Sequence, residues 1–532
     1  MNYVLRRLVG LSLVLLLAAI LPSASAFAQK PGGILRITHR DSPASMSIHE
    51  EGTISTVMPM MGVFNNLVVF DPKERQNNLD KLAPDLATSW KWSDDGKTLT
   101  FALRKGVAWH DGKPFTSADV KCTFDLLAGK ATENFKVNFR KGWYANIESV
   151  TTNGESEAIV KLKAPQPALL GLLASGFTPM YPCHVPPARM RQAPVGTGPF
   201  KFVEYKANQT IKLTRNPNYW KPGLPYLDGI EYDIIPNRST AVLAFISGRY
   251  DLTFPYEMTV PLVGDIQQQM PKAICDISPM NVAANLLMNP VPPFDDLQVR
   301  RAVAMTIDRK AYVDILTQGK GDVGGAMQPL PEGRWGLPDE ELRKLPGYDP
   351  DVAKSRAQAR AILAAKGYGP DKRISLKLST RNIPTYRDAS VILIDQLKEI
   401  WIDAELQLVE TALWVPKLIR RDYQFALSQV GNGVDDPDQG YPENYACGSR
   451  TYMDYCNKEL DTMIAAQSAE RDPAKRKQIA WAIDRKLTDE AVRPMLYYMR
   501  GGTCWRPEVK NITVMVNSIY NGWRMEDVWL DR

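Results

Sequence analysis

The sequence has few of the side chains on which most enzymes rely. It contains only four histidines among 532 residues, and no two cysteines stand in a Cys-x-x-Cys pair. His49 lacks the second histidine of a zinc-protease helix, and no Gly-x-Ser-x-Gly elbow occurs. Lys113 follows a glycine, but Pro114 stands where a phosphate-binding loop needs Ser or Thr. We therefore expect no catalytic residues, no metal site and no cofactor.

Charged tails and low-complexity tracts are also missing. The formal net charge of +6 is dispersed along the chain rather than gathered in one basic stretch. Proteins that bind nucleic acids concentrate Lys and Arg on one face, so a nucleic-acid partner is not expected. The 44% hydrophobic and 23% charged residues are ordinary for a globular protein. A chain of this length exceeds one hydrophobic core and predicts two or three domains.

The first residues have the pattern of an export signal. Arg6 and Arg7 precede an apolar run from Leu8 to Leu21, and Ala26-x-Ala28 follows as a cleavage site. The run is shorter than the roughly 20 residues that span a bilayer. No cysteine follows it for lipid attachment. The sequence predicts a cleaved signal peptide over 1–28 and a soluble periplasmic product.

Six cysteines fit that oxidising compartment. Cys447 and Cys456 bracket a short polar loop and are the predicted pair, whose bond would stabilise the fold by roughly 2–3 kcal/mol. The other four cysteines allow three pairings, which the sequence leaves open. We favour Cys122–Cys183 with Cys275–Cys504.

The stretch from Leu82 to Val120 carries the clearest local signals. Alternating apolar residues on both sides of Asp95-Gly96 predict a β-hairpin, because glycine accepts the positive φ of a tight turn. A second turn at His110-Asp111-Gly112 precedes Ser117, which is expected to cap a helix with Asp119 in its first turn.

Three further segments punctuate the chain. Gly196-Thr197-Gly198-Pro199-Phe200 opens a strand rather than a helix, which argues against phosphate binding. Asp295 and Asp296 favour a helix N-terminus, and a single helix is expected to run to Gly319. Strands alternating with helices across 280–430 indicate α/β organisation.

These segments resemble the family 5 extracellular solute-binding proteins, the peptide and nickel receptors of ABC importers. The stretch LATSWKWSDDGKTLTFALRKGVAWHDGKPFTSADV follows that family's signature almost residue for residue. The resemblance implies a type II-like periplasmic-binding-protein fold of class α/β, with two hinged lobes and a subdomain inserted in lobe I. On this chain, lobe I would comprise 29–66, 195–284 and 505–532, the inserted subdomain 67–194, and lobe II 285–504.

The resemblance also implies a function. The chain would capture a peptide or peptide-like solute between its lobes and deliver it, as a monomer, to the permease subunits of an importer driven by cytoplasmic ATPases. A receptor for an opine, sugar or aromatic acid is the alternative. A periplasmic hydrolase or chaperone is a more distant one.

Residues 428–447 correspond to the ligand loop of the family. The candidate ligand contacts there are Asn432, Asp435, Asp436 and Tyr445. Side chains that cap the loop's own turns are the alternative for Asn432 and Asp436. In dipeptide receptors an aspartate of this loop takes the peptide ammonium group, but the corresponding residue here is Gly433. This departure weakens the peptide assignment, and the lack of histidine near the loop opposes nickel.

Other candidates lie outside that loop. Trp414 matches a tryptophan position of the family that is usually close to the ligand, with a core tryptophan as the alternative. Arg381 can pair with the carboxylate of a ligand through its guanidinium fork, with Asn382 beside it, although a structural salt bridge is the better interpretation for Arg381. Trp335 and Tyr256 are weaker aromatic candidates, for which core packing is the better interpretation.

Overall fold

The computed structural model describes residues 29–449 and 452–532. The predicted signal peptide lies outside these described residues. The strands are β1 (Ile34–His39), β2 (Val68–Phe70), β3 (Leu82–Pro84), β4 (Ala87–Trp92), β5 (Thr98–Leu103), β6 (Ile147–Thr152), β7 (Glu157–Leu162), β8 (Phe200–Lys206), β9 (Thr210–Arg215), β10 (Gly229–Ile234), β11 (Ile274–Met288), β12 (Ile374–Arg381), β13 (Ile402–Val409), β14 (Phe425–Gly431), β15 (Met495–Trp505), β16 (Val509–Lys510) and β17 (Trp529–Leu530).

Across 280–430 helices alternate with the strands, as the sequence pattern predicted. The helices are α1 (Ile54–Met61), α2 (Ser117–Ala128), α3 (Leu169–Ala174), α4 (Pro187–Met190), α5 (Arg238–Ile246), α6 (Val260–Gln269), α7 (Leu297–Thr306), α8 (Arg309–Thr317), α9 (Asp339–Leu342), α10 (Val352–Ala365), α11 (Pro384–Lys398), α12 (Thr411–Ile419), α13 (Pro437–Asn444), α14 (Lys458–Ala469) and α15 (Pro473–Asp489). Short 3-10 helices occur at Leu79–Lys81 and Lys141–Tyr144. Among the described residues, no helix has the length and apolar character needed to cross a bilayer.

Two sheets form the centres of two lobes. Lobe I is built on the order β1-β10-β9-β8, and lobe II on the order β13-β12-β14-β11-β15. In lobe I, β1 is parallel to β10, and in lobe II, β12 is parallel to both β13 and β14. Parallel pairing requires a crossover connection, which accounts for the long excursions between these strands. The predicted α/β class is confirmed.

The long strand β11 passes from one lobe to the other. Its first half, Ile274–Pro279, pairs with Arg500–Trp505 at the end of β15, and its second half pairs with β14. The register shifts between Pro279 and Ala283. Asn281 within that shift has a positive φ of 51°. β11 and β15 are therefore the covalent crossovers between the lobes. The residue boundaries given above for the lobes stay a prediction.

An antiparallel sheet of order β4-β5-β7-β6 forms the inserted subdomain. The Asp95-Gly96 hairpin is confirmed, since Trp92 pairs with Leu99 across it. Leu99, Phe101 and Leu103 are buried, and the tryptophans of β4 are half-buried. The alternation of apolar side chains along β5 therefore marks the face that packs into the core.

Two predicted helix ends were wrong. Thr116, not Ser117, is the N-cap of α2, and its backbone N–H donates to Asp119 Oδ2 at 2.9 Å. The helix predicted from Asp296 to Gly319 is two helices. Asp308 interrupts it because its side chain accepts a hydrogen bond from Ala311 N at 3.0 Å and starts a new helix.

All six cysteines are paired. Cys447 is bonded to Cys456 as predicted, and the remaining bonds are Cys122–Cys183 and Cys275–Cys504, the favoured pairing. Cys275 and Cys504 face each other in the register of β11 and β15. That bond therefore joins the two crossover strands on the side of lobe I.

Candidate ligand-binding cleft

The carboxyl ends of two parallel strands meet between the lobes. Arg40 and Asp41 follow β1 of lobe I, and Arg381 is the last residue of β12 in lobe II. Arg381 donates to Asp41 Oδ2 in an ion pair, and both side chains are buried. Thr411 Oγ1 donates to the same oxygen at 2.5 Å, and Ser55 Oγ donates to Oδ1 at 2.5 Å. Asp41 is thus a point of contact that holds the lobes together.

The charges around Asp41 determine its ionisation. Burial acts to raise the pKa of Asp41, but the guanidinium groups of Arg381 and Arg40 outweigh it. The net result is a pKa below the ordinary value, so the carboxylate is charged at neutral pH. A buried charge that is paired in this way costs little, whereas loss of either partner leaves the other uncompensated.

A cavity of about 70 Å³ lies beside this ion pair. Its walls come from α1 and the C-terminal segment on one side and from α11, α12 and β14 on the other. The aromatic and apolar residues that line it are Ile54, Met280, Val282, Tyr386, Trp414, Val415, Leu418, Val430, Tyr452, Ile519 and Tyr520. Pockets that hold drug-sized ligands measure about 300–1,000 Å³. A solute of peptide size therefore requires the lobes to separate further than they do here.

The edge of β14 is open where it reaches this cavity. Its parallel pairing with β12 covers only Phe425 and Ala426. Further along, Asn432 N donates to Asn281 O, on the β11 side. Since backbone groups alternate in direction along a strand, those of Gln429 and Gly431 point to the opposite side, where the cavity lies. The arrangement can form backbone hydrogen bonds with an extended solute.

Arg381 and Trp414 are the two sequence candidates that line the cavity. Arg381 also forms a structural salt bridge, with Asp41, which was the other interpretation of this residue. Asn382 does not line the cavity, and its Nδ2 donates to Glu410 Oε1 at 2.8 Å in an exposed hydrogen bond.

Most candidates of the ligand loop have structural partners instead. Asp436 caps α13 and forms a buried ion pair with Arg476, which agrees with the capping alternative. Asn432 Nδ2 lies 3.4 Å from Asn281 Oδ1, at the crossover. Tyr445 is buried with the guanidinium of Arg493 5.9 Å from its ring centre.

Asp435 and the two weaker aromatic candidates are also away from the cavity lining. Asp435 Oδ2 accepts from Arg334 N at 2.9 Å, and its carbonyl accepts from Trp335 Nε1 at 3.0 Å. Tyr256 is buried in lobe I, where its hydroxyl donates to Met515 O. Core packing is the role that the structure gives Tyr256.

Sequence reasoning missed Arg40, Tyr386 and Tyr520, which line the cavity. A usable signal for Arg40 was its position directly after the first strand, because ligands of α/β proteins bind at the carboxyl ends of parallel strands. Nothing local marks Tyr386 or Tyr520. Among the residues that the structure describes, no group of three or more His, Cys, Asp or Glu side chains could hold a metal ion.

The chain is similar in sequence to several known binding proteins. Heme-binding protein A of Haemophilus influenzae is 31% identical over 335 residues, which cover 58% of this chain and 56% of that protein. A putative ABC transporter peptide-binding protein of Brucella abortus is 34% identical over 279 residues, or 50% and 48% of the two chains. These matches span about half the length of those relatives. Oligopeptide-binding protein AppA of Bacillus subtilis is 28% identical over 440 residues, 78% of this chain and 77% of its own.

Solved structures share the fold at lower identity. DppA from Helicobacter pylori, in complex with the peptide STSA, has a TM-score of 0.82 at 21% identity over 94% of this chain and 99% of its own. AgaA from A. tumefaciens R10, in complex with agropinic acid, has a TM-score of 0.80 at 22% identity and the same coverages. The two-lobed fold is therefore that of periplasmic binding proteins. The family model of the bacterial extracellular solute-binding proteins, family 5 (middle region), matches residues 81–452, and the chain belongs to this family.

Proposed function

We propose that this protein is the solute receptor of an ABC importer and captures a peptide or peptide-like solute between its lobes. The observation that carries the proposal is the open edge of β14 at Gln429 and Gly431, in a cavity with aromatic walls. An extended peptide can add to such an edge as an extra strand, while side-chain pockets provide selectivity. The peptide-binding names of several relatives support this assignment.

The rest of the transport cycle follows from that role. The receptor acts in the periplasm as a monomer after removal of residues 1–28, and it docks on the permease subunits whose ATPases supply the energy. N-terminal sequencing of protein from a periplasmic fraction tests this placement. We expect the mature chain to begin at Gln29, and retention of Met1 would contradict the predicted cleavage.

A non-peptide solute is the second candidate. Gly433 offers no carboxylate for a peptide ammonium group, and AgaA, which has the same fold, is in complex with agropinic acid. An opine, sugar or aromatic acid would need only the aromatic walls and donors of the cleft.

Mass spectrometry of solute released from the purified protein by denaturation separates these candidates. We expect a peptide or amino-acid conjugate, and a peptide of that composition should raise the melting temperature. Release of a sugar or aromatic acid, with no thermal shift from peptides, would reject the peptide assignment. Chromatography of the solute after calorimetric titration should show it unchanged, whereas cleaved solute would indicate a hydrolase.

A further inference from the structure

We infer that the cleft recognises its solute through a carboxylate group and gains little from a free ammonium group. The inference rests on the proposed receptor function and narrows the chemistry of the solute. It applies equally to a peptide, through its C-terminus, and to a small organic acid.

The charged side chains that line the cavity are all cationic. Arg40, Arg381 and Arg493 contribute to its wall, and no carboxylate does so among the described residues. The carboxylates next to these arginines are in ion pairs. Asp41 binds Arg381, and Glu257 lies 3.3 Å from Arg40 Nη1 and 3.5 Å from Arg238. An ammonium group that entered the cavity would therefore meet like charges and no acceptor of opposite sign.

Arg40 is positioned as the anion-binding group. Its Nη1 donates to Glu257 Oε2 and its Nε to Ser55 Oγ at 3.4 Å, contacts that fix the guanidinium plane. Within the described chain, Nη2 makes no hydrogen bond. A fixed guanidinium with a free N–H is suited to a carboxylate, which otherwise could not be buried without a large cost.

Neutral groups around the cavity also favour an acceptor. Trp414 lines the cavity, and its indole N–H makes no hydrogen bond within the described ranges. The hydroxyl of Thr53, which also lines the cavity, is buried and makes no hydrogen bond among the described residues. The backbone N–H groups of Gln429 and Gly431 add further donors. These groups satisfy the oxygens of a carboxylate, while the apolar walls fit an aliphatic or aromatic remainder.

Three dipeptides with different ends test the inference by calorimetry at pH 7. Dileucine and N-acetyl-dileucine keep the carboxylate and should bind within about threefold of each other. Dileucine amide should bind at least about tenfold more weakly. Equal affinity of the amide and the free acid, or loss of binding on acetylation, would overturn the inference.

The same panel separates this inference from the peptide proposal. If no peptide binds but 4-methylpentanoate or benzoate does, the peptide assignment fails and carboxylate recognition stands. If no carboxylate in the panel binds, or if the solute extracted from the protein carries no carboxylate, the inference is wrong although receptor function can remain.

The variant Arg40→Gln tests whether Arg40 is the group that binds the carboxylate. We expect the variant to bind dileucine about tenfold more weakly and to lose most of the difference between dileucine and its amide. Arg36→Gln, at an exposed arginine of β1, is the matched control and should keep both affinities.

Trp414→Phe retains an aromatic ring and removes the N–H donor, so the affinity for the free acid should fall several-fold. This second variant keeps the test valid if Arg40→Gln fails to fold. Retention of the full preference for the acid in a folded Arg40→Gln protein or in Trp414→Phe would overturn the inference.

Discussion

Asp435 is a carboxylate in an unfavourable environment. Its Oδ2 accepts one backbone hydrogen bond, while its Oδ1 is buried without a partner in the described residues. Burial, aided by the nearby charge of Asp436, raises the pKa of Asp435 to about 7. The folded protein therefore holds a proton there that the unfolded chain releases near pH 4.

Asp435→Asn should change how stability depends on pH. Between pH 4 and 7 the folded state binds the extra proton, so the contribution of Asp435 to stability falls as the pH rises. The variant lacks this loss, and its free energy of unfolding relative to the wild type should increase by on the order of 4 kcal/mol from pH 4 to pH 8. Urea unfolding across this range measures the difference.

Asp395→Asn, at a side chain that is 84% exposed, is the control and should follow the wild type. A constant difference between Asp435→Asn and wild type would show that the carboxyl has an ordinary pKa. Solute affinity at pH 7 should stay within about twofold, because Asp435 does not line the cavity.

Among the structural elements, β14 contributes most to the cleft. Gly431 ends it beside Tyr520 of the C-terminal segment. A Cβ atom at this position would lie 2.9 Å from Val282 Cγ2 and 3.0 Å from the Tyr520 hydroxyl. These distances are too short for a methyl group, so glycine permits the close approach of the two lobes here.

Gly431→Ala should therefore hinder closure of the lobes more than it lowers the stability of the fold. We expect solute affinity to fall by about tenfold, within the cost of a small overpacking. Isothermal calorimetry and thermal unfolding would give the two effects separately. Gly264→Ala in α6 is the control, since a Cβ there meets no atom within 4 Å. Equal affinities of Gly431→Ala and wild type would show that the lobes bind solute without this contact.

The loop closed by Cys447–Cys456 precedes α14. Replacing both cysteines by serine should lower the free energy of unfolding by roughly 2–3 kcal/mol, because the open loop gains conformational entropy in the unfolded chain. Urea unfolding of the oxidised protein, with the wild type after reduction as the comparison, measures this loss. An unchanged midpoint would mean that the loop is equally ordered without its bond.

For the whole molecule, the decisive contact is the ion pair that crosses the cleft. β11 and β15 join the lobes covalently, and Asp41 with Arg381 joins them without a covalent bond. The inserted subdomain adds a further link to lobe II, since Trp143 Nε1 donates to Glu443 Oε2 at 3.0 Å. The closed arrangement is thus stabilised on two sides of the molecule.

Asp41→Asn should shift the protein toward an open form. Arg381 would be left buried without its counter-charge in the closed form, a loss of up to about 3–5 kcal/mol, whereas in an open form it can be hydrated. Small-angle X-ray scattering should report a larger radius of gyration and calorimetry a weaker affinity for solute. Asp403→Asn, at a 2.8 Å ion pair with Arg373 that lies within lobe II, is the control. An unchanged radius with unchanged affinity would show that this pair does not govern closure.

The local pattern of the chain predicted much of the fold. Turn residues and alternating apolar side chains defined the hairpin at Asp95-Gly96, and an even set of cysteines implied three bonds. His110, Asp111 and Lys113 look catalytic in the sequence, yet Gly112 N donates to Trp109 O at 2.8 Å in a simple turn. His110 is half-buried with its Nε2 3.0 Å from Gly198 O, and desolvation of the ring lowers its pKa to about 4. The stretch from Leu82 to Val120 identifies the family without contributing to the cavity.

The sequence by itself determined the family, the α/β class and the local elements, because these depend on periodicity, turn chemistry and contiguous motifs. Only the tertiary structure decided the composition of the cleft. Arg40 and Arg381 are more than three hundred residues apart, and they meet because parallel strands of two lobes present their carboxyl ends to each other. The loop at 428–447 was expected to provide the ligand contacts, but its acids are used to hold α13 and neighbouring segments. The charge of the cleft depends on which side chains form ion pairs after folding. Ion pairs between distant residues cannot be predicted from a local sequence pattern.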